Sequence, residues 1–137
     1  MTSDPVGIAQ AFVGAINTRN AEKIARWMPE DHVFVDSDGT QVRGRQRMKD
    51  GWGQYFQMFP DYTISVEETL SRGPVVVMLG TADGTYAVGG KLLPENHWSV
   101  PAVWRAVIRD NTVLEWRVYV NVDAIRRIMA KHETAPL

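Results

Sequence analysis

The sequence predicts an α+β fold, in which helices pack on one face of a strongly bent antiparallel sheet. Residues 97–121 alternate between apolar and polar side chains, which is typical of a long, half-buried β-hairpin. Helical periodicity is instead found before the long strands and again at the end of the chain. Early helices followed by a run of strands favour the α+β class.

The composition is that of one globular domain. The chain has 137 residues, of which 45% are hydrophobic and 23% charged, so it can bury a core and is too apolar to be disordered. The formal net charge of -1 leaves no basic excess for binding nucleic acid. The absence of cysteine excludes disulfides, thiolate metal sites and thiol catalysis, and the three scattered histidines do not favour a metal centre.

The N-terminal segment MTSDPVGIAQ has neither the basic start nor the apolar core of a signal peptide. No run of residues approaches the roughly 18 apolar positions that a membrane span requires. We therefore expect a cytoplasmic protein without a membrane partner.

Two helices are predicted at the start of the chain. Ser3 or Asp4 can cap the first, and Pro5 suits its first turn. Asn20 can cap a short second helix over residues 21–28. The apolar positions of the first helix recur at helical spacing: Ile8, Phe12, Ala15 and Ile16.

A short hairpin and a third helix follow. Residues 32–36 alternate as a strand that ends in Asp36, and residues 41–43 form the return strand after a polar turn. Residues 44–59 predict a helix. Its large apolar side chains share one side: Met48, Trp52, Tyr55, Phe56 and Phe59.

Residues 62–71 and 74–86 predict two long strands, and the hairpin 97–121 completes the sheet. By parity, Trp98, Trp104, Trp116, Leu114, Val118 and Val120 share the apolar face of that hairpin. Such a face needs a wide apolar partner, so helices must cover it, the last of them beginning near residue 123. A bent sheet closed by helices leaves an apolar cavity, which is the default ligand site.

Five segments, taken in order, are similar to those of one known superfamily: residues 12–20, 31–36, 59–62 (FPDY), 80–84 (GTADG) and 113–121 (VLEWRVYVN). They resemble the nuclear transport factor 2-like superfamily and, within it, the SnoaL-like branch. The resemblance covers nearly the whole chain and implies one domain over residues 1–137. The implied fold is a cone, with a strongly bent antiparallel sheet and helices on its concave face enclosing an apolar pocket.

The superfamily includes polyketide cyclases, steroid isomerases, limonene-epoxide-type hydrolases, dehydratases and non-catalytic binding modules. The resemblance places Asp36 where the steroid isomerases have their general base. It places Trp104 and Phe12 where those enzymes have an oxyanion-stabilising acid and a hydroxyl donor. Asp83 matches one acid of the epoxide hydrolases, while Val118 stands where they and the SnoaL cyclases have another acid. No complete catalytic set of the superfamily is present.

Asp36 and Asp83 are the candidate catalytic residues. Asp36 is either a carboxylate at the cavity mouth, with a pKa raised by apolar surroundings, or a turn acid that caps its own backbone. Asp83 is either a buried acid on the inner face of its strand or a solvated one beyond the core. If both acids share one pocket, one can act as base and the other as hydrogen-bond donor.

The candidate ligand-binding residues are mainly aromatic, and a wall of tryptophans suits a flat apolar or aromatic molecule. Each of these side chains has an alternative role in the core, on the surface or, for Asn121, as the cap of the last helix. The candidates are Phe12, His32, Phe34, Trp52, Tyr55, Phe56, Trp98, Trp104, Trp116, Val118 and Asn121.

Four basic residues lie close together where the third helix begins: Arg43, Arg45, Arg47 and Lys49. The first interpretation is a solvated helix start, and the alternative is binding of an anionic ligand. Their sign is unfavourable for the helix dipole, which prefers acids at the N-terminus.

Two functional classes therefore remain. The first is a cofactor-independent enzyme without a metal, acting on a small apolar or aromatic molecule by proton transfer, as an isomerase, cyclase, lyase or epoxide-hydrolase-like hydrolase. The second is a non-catalytic ligand-binding or dimerisation module. A homodimer is also expected, through the opposite face of the hairpin, which carries Val103, Arg105, Val107, Arg117 and Tyr119.

Overall fold

The computed structural model describes residues 4–133. Within them it contains four α-helices and six strands, together with one 3-10 turn over Pro94–Asn96. The helices are α1 (Pro5–Asn17), α2 (Ala21–Ala25), α3 (Arg45–Met58) and α4 (Asp123–Ala130). The strands are β1 (Val33–Val35), β2 (Gln41–Arg43), β3 (Thr63–Arg72), β4 (Val75–Thr85), β5 (His97–Arg109) and β6 (Thr112–Val120). The α+β class is confirmed.

The six strands form one curved sheet in the order β2-β1-β6-β5-β4-β3. Its central pairings are antiparallel, but β1 runs parallel to β6, with Phe34 opposite Trp116. The prediction of a wholly antiparallel sheet is therefore wrong at this one pairing. The long stretch of chain between β1 and β6 provides the crossover that a parallel pair needs, so no tight turn dictates their relative direction.

Two irregularities interrupt the strand pairing. One lies in β3 between Val66 and Glu68. The other is a shift in the register of β5 against β6, which occurs between Val107 and Ile108 of β5. At the second, Leu114 is the extra residue, and Val113 takes the fully buried position that parity had assigned to Leu114. Such bulges bend a strand and increase its local twist, which here helps to curve the sheet.

The first two helices begin where the sequence predicts. The Asp4 carboxylate accepts a hydrogen bond from the backbone of Gly7, and Asn20 caps α2 in the same way, while Ser3 lies outside the described residues. Helix α2 ends at Ala25 rather than at Met28. Its last residues form tighter turns, in part because a residue that precedes proline disfavours the helical conformation.

The core lies between the helices and the inner face of the sheet. Phe12 and Ile16 of α1 are fully buried there against the tryptophans of β5 and β6. The Asn17 side chain fixes α1 to the start of β3 by donating to the Ile64 carbonyl at 2.9 Å and accepting from its backbone N–H at 2.8 Å. None of the helices among residues 4–133 is both long and apolar enough to span a membrane.

Candidate active site

A cavity of about 670 Å³ lies between the inner face of the sheet and helices α3 and α4. This volume is in the usual range for small-molecule sites. Its wall is mainly apolar and rich in aromatic side chains, with Trp52 and Tyr55 from α3, Tyr62 just before β3, and Trp98, Trp104 and Trp116 from β5 and β6. The strand tryptophans share one face of the sheet, as their spacing predicts, and each is less than 5% exposed.

Seven of the candidate ligand-binding residues line this cavity: Phe34, Trp52, Tyr55, Trp98, Trp104, Trp116 and Val118. The other four do not. Phe12 lies within the core, with its ring 4.9 Å from that of Trp116, and Phe56 stacks on Trp52 at 5.5 Å. Asn121 is exposed and accepts a hydrogen bond from the backbone of Asp123, which matches its alternative role at the start of α4.

His32 also lies outside the cavity, and its role is structural. The ring is fully buried, and Nδ1 lies 2.7 Å from the carbonyl oxygen of Val113, to which it donates. Burial lowers the pKa of this imidazole, so the neutral form is favoured. His32 thus ties the start of β1 to β6 and is neither a ligand contact nor a surface imidazole.

Asp36 lies at the cavity mouth and is exposed to solvent. Its Oδ1 atom accepts a hydrogen bond of 2.7 Å from the backbone N–H of Ser37, and its own N–H donates to the Thr40 carbonyl at 2.8 Å. The carboxylate therefore caps its own turn, as the second description has it, and it also lies on the cavity lining.

Two tyrosine hydroxyls accompany Asp36. The rings of Tyr55 and Tyr62 meet edge to face, with centroids 5.0 Å apart. Burial raises the pKa of Tyr55, and the charge of Asp36 raises it further. Burial also raises the pKa of Tyr62, with a further contribution from Tyr55. Both hydroxyls therefore stay protonated and can donate hydrogen bonds.

Tyr62 is not among the candidate residues, because the first position of a predicted strand gives no indication of a role in a site. Its parity with the buried Ile64 was the signal that could have placed it on the inner face. Trp104 and Phe12 carry neither the acid nor the hydroxyl that the resemblance would place at their positions, but Tyr55 and Tyr62 supply hydroxyls elsewhere in the wall.

Asp83 lies outside the cavity, so the predicted pairing of two acids in one pocket does not occur. Its sequence neighbours point inward, and the Asp83 carboxylate is on the opposite face of the sheet, 3.7 Å from Nε2 of His97. His97 Nδ1 lies 3.1 Å from the hydroxyl of Thr85, which donates to Asp61 at 2.7 Å. Asp83 therefore belongs to a polar cluster behind the cavity.

The rest of the mouth carries charges of both signs that the sequence could not bring together. Arg47 and Asp50 of α3 line it on one side, and Arg126 of α4 lines it on the other. Across residues 4–133, three or more His, Asp or Glu side chains are nowhere grouped so that they could hold a metal ion.

Comparison with known proteins extends these findings. A family model described as the SnoaL-like domain matches residues 9–116. No curated protein matches the chain significantly in sequence.

Solved structures superimpose over most of the chain. A Shewanella putrefaciens protein, provisionally assigned as a SnoaL-like polyketide cyclase, has a TM-score of 0.79 over 96% of this chain and 100% of its own, at 16% identity. TerC, co-crystallised with polyporic acid, gives 0.77 over 93% and 99%, also at 16% identity. A Catenulispora acidiphila protein with a ketosteroid isomerase-like fold, in complex with trimethylamine, gives 0.75 over 86% and 88% at 15% identity. At these identities the likeness establishes the fold.

Proposed function

The chain belongs to the SnoaL-like domain family, and from that premise we propose that it is a cofactor-independent enzyme acting on a small apolar or aromatic molecule. The reaction is proton transfer by the Asp36 carboxylate, within an isomerisation, cyclisation, dehydration or hydration. The observation that carries the proposal is the aromatic cavity of about 670 Å³ with a carboxylate at its mouth and tyrosine hydroxyls in its wall.

The chemistry follows from these groups. The Asp36 carboxylate takes a proton from a carbon next to a carbonyl and becomes a neutral acid. The electron pair of the broken C–H bond moves to the carbonyl oxygen, and a hydroxyl of Tyr55 or Tyr62 stabilises that oxyanion by donating a hydrogen bond. Asp36 then returns the proton to another carbon, which completes an isomerisation. In a cyclisation the carbanion instead attacks a second carbonyl carbon of the same molecule, the π pair of that carbonyl moves to its oxygen, and this oxygen takes the proton from Asp36. The apolar wall strengthens these electrostatic interactions because it excludes water.

The structural relatives support the size and kind of ligand. Two of them were crystallised with small organic molecules, TerC with polyporic acid and the Catenulispora acidiphila protein with trimethylamine. A cavity of this size and lining accommodates a flat molecule of several fused or linked rings.

A second candidate function is ligand binding without catalysis. It is favoured by the exposure of Asp36 and by the hydrogen bond that its carboxylate already accepts from Ser37. The position of Asp83 behind the sheet also removes the second acid that would have tuned the pKa of the first.

An exchange experiment separates the two functions. Small aromatic ketones that raise the melting temperature are incubated with the protein in D₂O, and deuterium incorporation at carbon is followed by proton NMR. We expect Asp36→Asn to lose about 100-fold or more in exchange rate, because it keeps the shape and removes the base. Asp38→Asn, on the same exposed turn, is the matched control. Unchanged exchange in Asp36→Asn, or binding without any exchange in the wild type, would favour the binding function.

We further propose that the protein acts as a homodimer, through the outer face of the sheet. Arg117 lies there over the ring of Tyr119, at 5.0 Å from its centroid, and its Nε atom is buried without a hydrogen-bond partner among the described residues. Val103 lies opposite Tyr119, and Val77 and Val107 lie on the same face beside the neighbouring Arg105. Such a mixed face suits a two-fold interface, in which each patch meets its own copy.

A further inference from the structure

The basic residues at the start of α3 differ in their contacts. Three of the four are engaged by neighbouring side chains: Arg45 with Glu30 at 3.7 Å, Lys49 with Glu22 at 2.5 Å and Arg43 with Gln41 at 2.8 Å. The fourth, Arg47, has no ion-pair partner among the described residues, and it is the one that lines the cavity.

Helix α4 repeats this pattern from the other side of the cavity. Arg127 pairs with Asp123 at 3.3 Å, one turn earlier on the exposed side of the helix. Its neighbour Arg126 forms no ion pair within the described residues, and it lines the cavity. On each helix, therefore, an arginine at the mouth keeps its guanidinium N–H groups free while adjacent basic side chains are engaged.

The start of α3 adds positive potential at the same place. Its N-cap is Gly44, which provides no side-chain hydrogen bond, and its first turn contains no acidic residue. Of the first-turn N–H groups, that of Arg45 donates to the Glu30 carbonyl at 3.2 Å, and the positive end of the dipole of this 14-residue helix has no acid of its own helix to offset it next to Arg47. An anion bound at the mouth would offset the unfavourable interaction between Arg47 and the positive end of the helix dipole.

The two acids of the mouth already accept hydrogen bonds from uncharged donors. The Asp36 carboxylate accepts from the backbone of Ser37, and the Asp50 carboxylate accepts from the side chain of Gln46 at 3.0 Å. Neither acid lies within 4.0 Å of a guanidinium nitrogen of Arg47 or Arg126, so the donors of both arginines remain available to a ligand.

We propose that the ligand of this cavity is an aromatic or apolar molecule that carries an oxyanion, such as a carboxylate, and that Arg47 and Arg126 bind this group at the mouth. The apolar body then enters the cavity, and the atoms next to the anion lie near Asp36. This inference rests on the proposed function only in treating the cavity as the ligand site, and it adds the chemical class of the ligand.

Two fluorescent probes test this. Anilinonaphthalene sulfonate is an anionic aromatic molecule, and phenylnaphthylamine is the same ring system without the sulfonate. We expect the wild-type protein to bind both and the second to displace the first completely. Salt should weaken binding of the sulfonate and leave the affinity for the neutral probe unchanged, because only the sulfonate interacts with charge.

Single substitutions test whether Arg47 and Arg126 bind the sulfonate group. In Arg47→Gln and in Arg126→Gln we expect the dissociation constant of the sulfonate to rise about five-fold, as for an ion pair at a partly exposed site, with the neutral probe unaffected. Arg126→Lys should retain part of the affinity, because it keeps the charge and loses the bidentate geometry. Arg127→Gln is the matched control on the same helix and should change neither probe.

The proposal is overturned if both probes lose affinity equally, if neither does, or if the sulfonate stays bound at saturating phenylnaphthylamine. Failure of the proposed proton transfer is distinguishable, because it concerns Asp36. Asp36→Asn should lose deuterium exchange but bind the sulfonate as tightly as the wild type or more tightly, since a negative charge is removed from the mouth.

Discussion

The ring of Trp98, in the cavity wall, packs closely against the backbone of Gly84. A Cβ atom at this position would lie 2.7 Å from Cζ2 of Trp98, a rigid ring that cannot move aside as a flexible chain end could. We expect Gly84→Ala to lower the free energy of unfolding by about 1–3 kcal/mol and to weaken binding of phenylnaphthylamine, because the indole must shift. Urea denaturation and probe titration measure the two effects.

Gly53→Ala is the control for Gly84→Ala. Gly53 lies inside α3, and a Cβ atom there would meet no other group within 4 Å. Alanine is the better helix former by about 0.5–1 kcal/mol, so this variant should be more stable than the wild type. Equal effects of the two substitutions would contradict the assigned contact between Gly84 and Trp98.

The buried His32 makes the stability of the protein depend on pH. Burial lowers its pKa in the folded state, so below the ordinary pKa of about 6.5 the unfolded chain binds more protons than the folded one. The free energy of unfolding should therefore be highest above that pH and fall as the pH decreases towards the folded-state pKa. In His32→Gln, whose amide can still donate to Val113, the decrease between pH 7 and pH 5 should be shallower. Parallel slopes in urea denaturation would refute this assignment.

At single positions, the alternation of side chains predicts which face of a strand a residue occupies only when the two faces differ in polarity. On β5 the apolar and polar residues alternate, so the tryptophans could be placed from sequence alone. The first half of β4 is apolar on both faces, so its parity was ambiguous and Asp83 could be assigned to either side. Phe12 and Phe56 lie on the apolar sides of their helices, as their spacing predicts. They contact wall residues on the side away from the cavity, and helical spacing alone cannot distinguish this position from one that lines it.

Helix α4 is held against the rest of the protein by few side-chain contacts. It has eight residues, too few to be stable alone in water, and it contributes the buried Ile125 and the half-buried Met129 to the cavity wall. Just beyond its end, Nε2 of His132 lies 2.9 Å from Oδ1 of the buried Asn96. The helix is thus held by Ile125 near its start, by the partly buried Ile128 and Met129, and by His132 beyond its end.

Ile125→Ala should release α4 and leave the sheet intact. Loss of the buried side chain costs about 2–5 kcal/mol in a well-packed core, which exceeds what a short terminal helix can gain by docking. We expect faster hydrogen exchange of the α4 amides, unchanged exchange in β5 and β6, and weaker binding of phenylnaphthylamine. Arg127→Ala removes an exposed side chain from the same helix and should alter none of these. Global loss of protection would contradict local release.

Local sequence signals predicted where helices and strands begin and end, but they did not predict which strands pair or in which direction. The caps Asp4 and Asn20 and the end of β2 at Arg43 lie where the sequence predicts them. The parallel alignment of β1 with β6 joins segments far apart in the chain and has no local determinant. The bulge at Leu114 is similarly invisible, because an extra residue in a strand of apolar side chains leaves the pattern almost unchanged.

On the scale of the whole molecule, the order of motifs predicted the family, which the match to the SnoaL-like domain confirms. The structure contains a cavity between the sheet and helices α3 and α4. The mouth of the cavity could not be predicted. It combines Asp36 after β1, Arg47 at the start of α3 and Arg126 in α4, and only tertiary packing brings these segments together. Charged side chains also tolerate many surroundings, so their sequence pattern carries little information about contacts.

The proposed dimer accounts for the apolar side chains that β4 carries on the outer face of the sheet as well as on the inner face. Its half-buried Val77 and Leu79 lie beside the exposed Leu70 of β3 and the valines of β5, around an ion pair of 2.6 Å between Arg105 and Glu115. In a two-fold dimer such a pair faces its own copy with the opposite charges in register, which favours one orientation. A stable interface of this kind buries about 1,000 Å² or more in total.

Tyr119→Asp should convert the proposed dimer into monomers. Tyr119 is 46% exposed on the outer face, and an aspartate there would place an unpaired carboxylate of each copy in the proposed interface. Leu92→Asp is the control, because Leu92 is similarly exposed at 44% but lies in the loop between β4 and β5. Sedimentation velocity should show a dimer for the wild type and the control and a monomer for Tyr119→Asp. A monomeric wild type at the highest attainable concentration, or a dimer that survives the charge, would refute this interface.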